Sequence, residues 1–147
     1  MVKIPFATEQ FFSVFEKYNS GVFPFQWILF FTGCFIFLLL HFRQPLKNKL
    51  IAAYLCFLFL WSGSIYFINF FSDINRSAFI FGGFFILQGV LVLHHLIYDN
   101  KLVFKMRKNL QTSIGYLIIV FGLFVYPFIS YVKPESDTQL LYPARPQ

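Results

Sequence analysis

Apolar residues fall along this chain in four long stretches, 22–41, 50–70, 77–98 and 112–132, none of which holds an Asp, Glu, Lys or Arg. Each is close to the ~20 residues that a helix rising ~1.5 Å per residue needs to cross ~30 Å of hydrocarbon. A helix packed on a soluble core keeps one polar face, whereas these stretches are apolar on every side. Membrane strands alternate in polarity over ~10 residues, and the continuous runs seen here suit helices, which satisfy their backbone groups internally. The pattern predicts an all-α integral membrane four-helix bundle over 22–132, preceded by a segment 1–21 and followed by a polar tail 133–147.

Segment 1–21 has a different period. Thr8 is placed to cap a helix, Glu9 and Gln10 suit its first turn, and Phe11, Phe12, Phe15 and Tyr18 recur at helical spacing opposite Ser13, Glu16 and Lys17. Pro5 and an Asn19-Ser20-Gly21 turn bound it. An amphipathic helix of this kind lies in the membrane interface, as an anchor on the headgroups or as a lid or docking element. The segment lacks the apolar run and small-residue cleavage motif of a signal peptide.

Charge sets the orientation. The 147 residues are 58% hydrophobic and 12% charged, and they carry a formal net charge of +6; a soluble protein has about a quarter of its residues charged. The first loop holds Arg43, Lys47 and Lys49 and the third Lys101, Lys105, Arg107 and Lys108, while the second, 72–76, offers only Arg76 against Asp73. The ends mix Lys3, Lys17, Lys133 and Arg145 with Glu9, Glu16, Glu135 and Asp137. Cytoplasmic loops carry the excess of Lys and Arg, which puts loops one and three inside and both termini outside a bacterial inner membrane. The basic balance then reflects topology and anionic headgroups, with no nucleic-acid partner.

Candidate chemistry is sparse. His41, His94 and His95 all fall near the cytoplasmic ends of their stretches, where one bis-histidine haem is conceivable and where rings resting at the interface are the commoner reason for histidine. Cys34 and Cys56 differ in depth and read as lone apolar side chains. There is no phosphate-cradling glycine loop, nucleophile elbow, zinc-protease helix or paired carboxylate, so neither an enzyme nor a resident cofactor or metal is expected. The absence of acidic residues within the stretches argues against a proton-coupled carrier.

Inside the third stretch, Gln88 is expected to find a partner across a helix interface, with Ser62 and Ser64 as candidates, because an unpaired amide is costly in hydrocarbon. Gly82 and Gly89 are seven residues apart, as are Gly115 and Gly122, so each pair shares a helix face. Close packing is the commoner use of such residues; lining a solute pathway is the other.

Ile4-Pro5-Phe6, Glu9-Gln10-Phe11-Phe12, Phe15, Tyr18-Asn19, Phe23-Pro24 and Gln26 resemble the start of a bacterial family of multi-pass membrane proteins with no assigned function. Trp61-Ser62-Gly63 with Tyr66, the run 70–75, Phe81-Gly82, Leu87-Gln88-Gly89 and Tyr126-Pro127 extend the resemblance over most of the chain. It implies location and not activity. It also implies further membrane helices after a segment like Tyr142-Pro143-Ala144-Arg145-Pro146, which this chain lacks. Two functions are therefore expected: a non-catalytic structural or accessory subunit with protein partners or copies of itself, or a small-solute transporter or channel component acting as an oligomer. Stretches free of charge favour the first, and Pro24, Pro45 and Pro127 lie too near helix ends or in a loop to break a helix at the midplane.

Overall fold

The computed structural model describes residues 8–43, 45–99, 102–105, 107 and 109–125, and every regular element among them is helical. Helix α1 covers Thr8–Val22 and α2 Phe25–Leu39. Helix α3, Lys47–Trp61, continues as a π-helical segment Ser62–Phe70 and a 3₁₀ turn Phe71–Asp73. Helix α4, Ala78–His94, and α5, Leu110–Val120, likewise widen into π-helical ends, His95–Asp99 and Phe121–Val125. With these continuations α3 and α4 reach 27 and 22 residues, long and apolar enough to cross a membrane. Helices α1 and α2 meet that test only as a pair, bent by 85°, and Leu110–Val125 is a shorter apolar helix. The rest of the fourth predicted stretch, 126–132, lies outside the described residues, as do 1–7 and the tail 133–147.

The first expected span is corrected at its start. Asn19, Ser20 and Gly21 do not turn the chain: the Ser20 hydroxyl donates to the Glu16 carbonyl at 2.7 Å, so the helix satisfies it internally and runs on to Val22. The break falls instead at Phe23-Pro24, a cis peptide. The Gln26 amide bridges the elbow, donating to the Asn19 carbonyl at 3.0 Å and to Asn19 Oδ1 at 3.1 Å. What begins as one 20-residue apolar stretch therefore holds a helix of only 15 residues, whose end tightens through bonds from Leu40, His41 and Phe42 back three residues each.

Helices α3 and α4 form an antiparallel hairpin closed by Asn75, which accepts from Ser77 N through Oδ1 and from Ala78 N through its carbonyl, each at 3.0 Å. Their seam is built from glycine. A Cβ at Gly63 would lie 2.8 Å from the Gly82 carbonyl, one at Gly82 3.0 Å from the Gly63 carbonyl, and one at Gly89 2.8 Å from Leu60 Cδ2. Backbones this close allow dispersion contacts along their whole length, which is what holds helices together where no water is displaced. The Cys56 thiol adds a weak bond to the Gly89 carbonyl at 3.3 Å.

Helix α1 lays its aromatic stripe on the closed end of this hairpin. Phe11 meets Phe71, Phe15 meets Tyr66 and Tyr18 meets Phe70 with ring centroids 6.1, 5.8 and 5.5 Å apart. The Trp61 indole donates to the Tyr18 hydroxyl at 3.0 Å, and Val14 is buried with Phe71 and Ala78. The stripe expected to face headgroups is thus mostly spent on the chain's own third helix. The outer faces of α2, α4 and α5 stay apolar, with Phe31, Phe35, Phe79, Phe84, Leu117 and Phe121 among the exposed side chains.

Candidate functional site

Three helix faces leave a cleft between them. Gly33, Ile36 and Phe37 of α2 with Leu40 at its C-terminal cap, Ile51, Tyr54, Leu55 and Leu58 of α3, and Thr112, Gly115 and Ile119 of α5 with Gly122 and Leu123 of its π-helical end line a cavity of about 570 Å³. The spacing on each helix is three or four residues, so the wall follows from one apolar face of each. Gly33 lets the Tyr54 ring lie across α2, since a Cβ there would come within 2.9 Å of the Tyr54 oxygen. The Tyr54 hydroxyl donates to the Leu29 carbonyl at 2.9 Å, which joins α3 to α2.

At one end the cleft meets the two basic loops. Leu40, Phe104 and Lys105 also line a second cavity of about 640 Å³, together with His41, Arg43, Lys47, Asn48 and Arg107. The loops are held in place by hydrogen bonds. Asn48 Oδ1 accepts from Phe104 N at 3.0 Å, which pins the segment before α5 to the first turn of α3. Asn109 caps α5, its Oδ1 accepting from Thr112 N at 2.9 Å. The Lys47 amine reaches the Leu40 carbonyl at 3.5 Å, a cation at the negative end of α2. Among the described residues none of Arg43, Lys47, Lys105 and Arg107 is paired with a carboxylate.

Of the residues singled out from sequence, Gly82 and Gly89 are buried on the seam face of α4, where they meet Gly63 and Leu60. Gly115 and Gly122 are not in the seam: a Cβ at either would meet no atom of the described residues within 4 Å, and both line the cleft. Gln88 is exposed on α4 and makes no hydrogen bond to Ser62 or Ser64, which flank the buried Gly63. Neighbours on a helix point about 100° apart, so a seam through Gly82 and Gly89 turns Gln88 away.

The histidines do not converge. His41 packs against Phe37 and Tyr116, with centroids 5.6 and 6.0 Å away, at the mouth of the cleft. His94 stacks near Tyr98, and His95 Nδ1 lies 2.9 Å from Asp99 Oδ2. One ligand atom from each of His94, His95 and Asp99 falls within 4.8 Å of the others, a spacing able to hold a metal ion at the exposed end of α4. The four-residue step from His95 to Asp99 was the sequence signal for that cluster. The basic mouth carried no such signal, since its four cations come from two segments far apart in sequence, brought together among the described residues by the bond between Asn48 and Phe104.

The described residues thus define an all-helical protein with two helices able to cross a membrane by length and composition, or three if the bent pair is one span. A family model described as "Family of unknown function (DUF6064)" matches residues 8–144, and the chain belongs to that family. No curated protein and no solved structure matches it.

Proposed function

We propose that this chain is a non-catalytic integral protein of the bacterial cytoplasmic membrane, crossing it four times with both termini outside, and that it serves as an accessory subunit of a larger membrane assembly. The observation that carries this reading is Gln88. Its amide sits on the outward face of α4 among exposed Phe81, Phe84, Leu87 and Leu91, without a partner among the described residues. Facing lipid, an unpaired amide costs several kcal/mol on the hydrocarbon scale, roughly 4 or more; facing a polar group of a neighbouring helix, it becomes an adhesive contact. Exposed apolar side chains around α2, α4 and α5 provide the remaining surface for lipid or for such a neighbour.

Extraction in mild detergent followed by native electrophoresis tests the assembly. The full chain is expected in a complex larger than its own monomer, and Gln88→Leu is expected to loosen it; a full chain running as a lone monomer overturns the reading. Solute uptake by the purified chain in proteoliposomes would instead support the transporter alternative. Topology is tested with single cysteines in a background lacking Cys34 and Cys56. Lys49→Cys and Lys101→Cys should resist an impermeant thiol reagent on intact cells and Ser136→Cys should react, whereas the reverse pattern inverts the orientation.

A further inference from the structure

We propose that the cleft between α2, α3 and α5 is a specific site for an anionic phospholipid, one acyl chain lying in the apolar slot and the phosphate at Arg43, Lys47, Lys105 and Arg107. This rests on the membrane reading above and deepens it. The slot asks for hydrocarbon: its volume of about 570 Å³ falls within the range of ligand sites, roughly 300–1,000 Å³, its lining is chiefly apolar, and the Tyr54 hydroxyl is committed to the Leu29 carbonyl. Its long wall runs from Thr112 to Leu123. At 1.5 Å per residue that is about 16 Å, close to half of a ~30 Å hydrocarbon core and so to one leaflet.

Glycine keeps the slot open, since Gly115 and Gly122 line it and a Cβ at either would meet no atom of the described residues within 4 Å.

The mouth supplies charge complementarity. The slot and the basic cavity share Leu40, Phe104 and Lys105, so a molecule lying in the first emerges in the second. There it meets four cations that no carboxylate neutralises among the described residues, with His41 beside them and no acidic residue in the lining. The segment before α5 is tied to the first turn of α3 by the Asn48–Phe104 bond, which brings the two basic segments to one cavity. An isolated soluble anion would use the cations and leave the slot bare; a neutral lipid would use the slot and leave the cations unpaired. An anionic phospholipid satisfies both.

The test uses the full chain purified in mild detergent, titrated with phosphatidylglycerol or phosphatidylcholine and read by native mass spectrometry. One phosphatidylglycerol per chain should be retained at activation energies that strip phosphatidylcholine. Arg43→Gln, Lys105→Gln and Arg107→Gln together should weaken retention on the order of a hundredfold, at about 1 kcal/mol per charge near an anionic surface. Gly115→Leu with Gly122→Leu should remove the lipid by filling the slot, with helix content by circular dichroism unchanged because a Cβ at either position meets no atom within 4 Å and the rest of each side chain enters the slot. Glycerol phosphate, the headgroup without a chain, should not displace the lipid. Equal retention of both lipids, full retention by the filled-slot variant, or displacement by glycerol phosphate overturns the proposal. A chain released from membranes by alkaline carbonate without detergent would defeat the membrane reading itself, whereas a chain that stays membrane-bound yet holds no lipid defeats only this inference.

Discussion

Replacing Gly63 by alanine should force the central hairpin apart. The added Cβ would lie 2.8 Å from the Gly82 carbonyl oxygen, 2.8 Å from Ile86 Cγ1 and 3.1 Å from Ile86 N. Two of these neighbours are backbone atoms of α4, which no rotamer change can move. Comfortable contact begins near 3.5 Å, so the helices must separate by roughly half an ångström along the part of the seam that also carries Gly82. Overpacking of this kind costs about 1–3 kcal/mol. It is opposed by the gain in helix propensity on replacing glycine, about 1 kcal/mol, leaving a net loss of up to about 2 kcal/mol, the larger end being expected where the clash is with backbone. Gly83→Ala is the control: it lies on the facing helix α4, a Cβ there meets nothing within 4 Å, and it keeps the propensity gain without the clash. Thermal unfolding of both variants in the same detergent, followed by circular dichroism, should place Gly63→Ala below the natural chain and Gly83→Ala at or above it. If Gly63→Ala unfolds with Gly83→Ala, the seam does not hold the hairpin as argued.

Three further outcomes follow from other contacts. In a double-mutant cycle of Trp61→Phe and Tyr18→Phe, the 3.0 Å hydrogen bond between them should appear as a coupling of about 0.5–1.5 kcal/mol, read from protease cleavage within α1; independent effects would show that α1 is held by ring packing alone. Asn109→Ala removes the cap of α5 and should cost about 1 kcal/mol, seen as faster hydrogen exchange in the first turn of that helix but not in α4; unchanged exchange would deny the cap its role. The purified protein should show no Soret absorption, since His41 lines a different cavity from His95; a stoichiometric Soret band lost on replacing His41 would contradict the placement.

Length and apolarity are local properties, and what depends on them was legible in the residues. The runs at 50–70 and 77–98 could be read as long helices because nothing in them is charged or breaks a helix, and α3 and α4 occupy those positions. The amphipathic period before residue 22 likewise appears as α1. The glycines of α4 were also legible as small residues on one face, since seven residues make nearly two turns.

The missing partners in that reading were nonlocal. Sequence spacing within α4 could not show that Gly82 would meet Gly63, and once that contact sets the rotation of the helix, Gln88 is carried to the outside. The two demands placed on α4, glycines inward and amide inward, were incompatible by geometry, and backbone packing prevailed because it engages the whole seam while the amide is one group. The elbow was misplaced because Ser20 can bond either to a turn or back into its own helix, and the choice lies with what the helix packs against. Gly115 and Gly122 carried the same spacing as Gly82 and Gly89, yet they face a cleft because α5 stands off from α2 and α3. The basic loops were read from sequence as two separate charge runs; their joining into one mouth depends on Asn48 reaching Phe104 across 56 residues, and a contact at that separation has no signature in either segment taken alone.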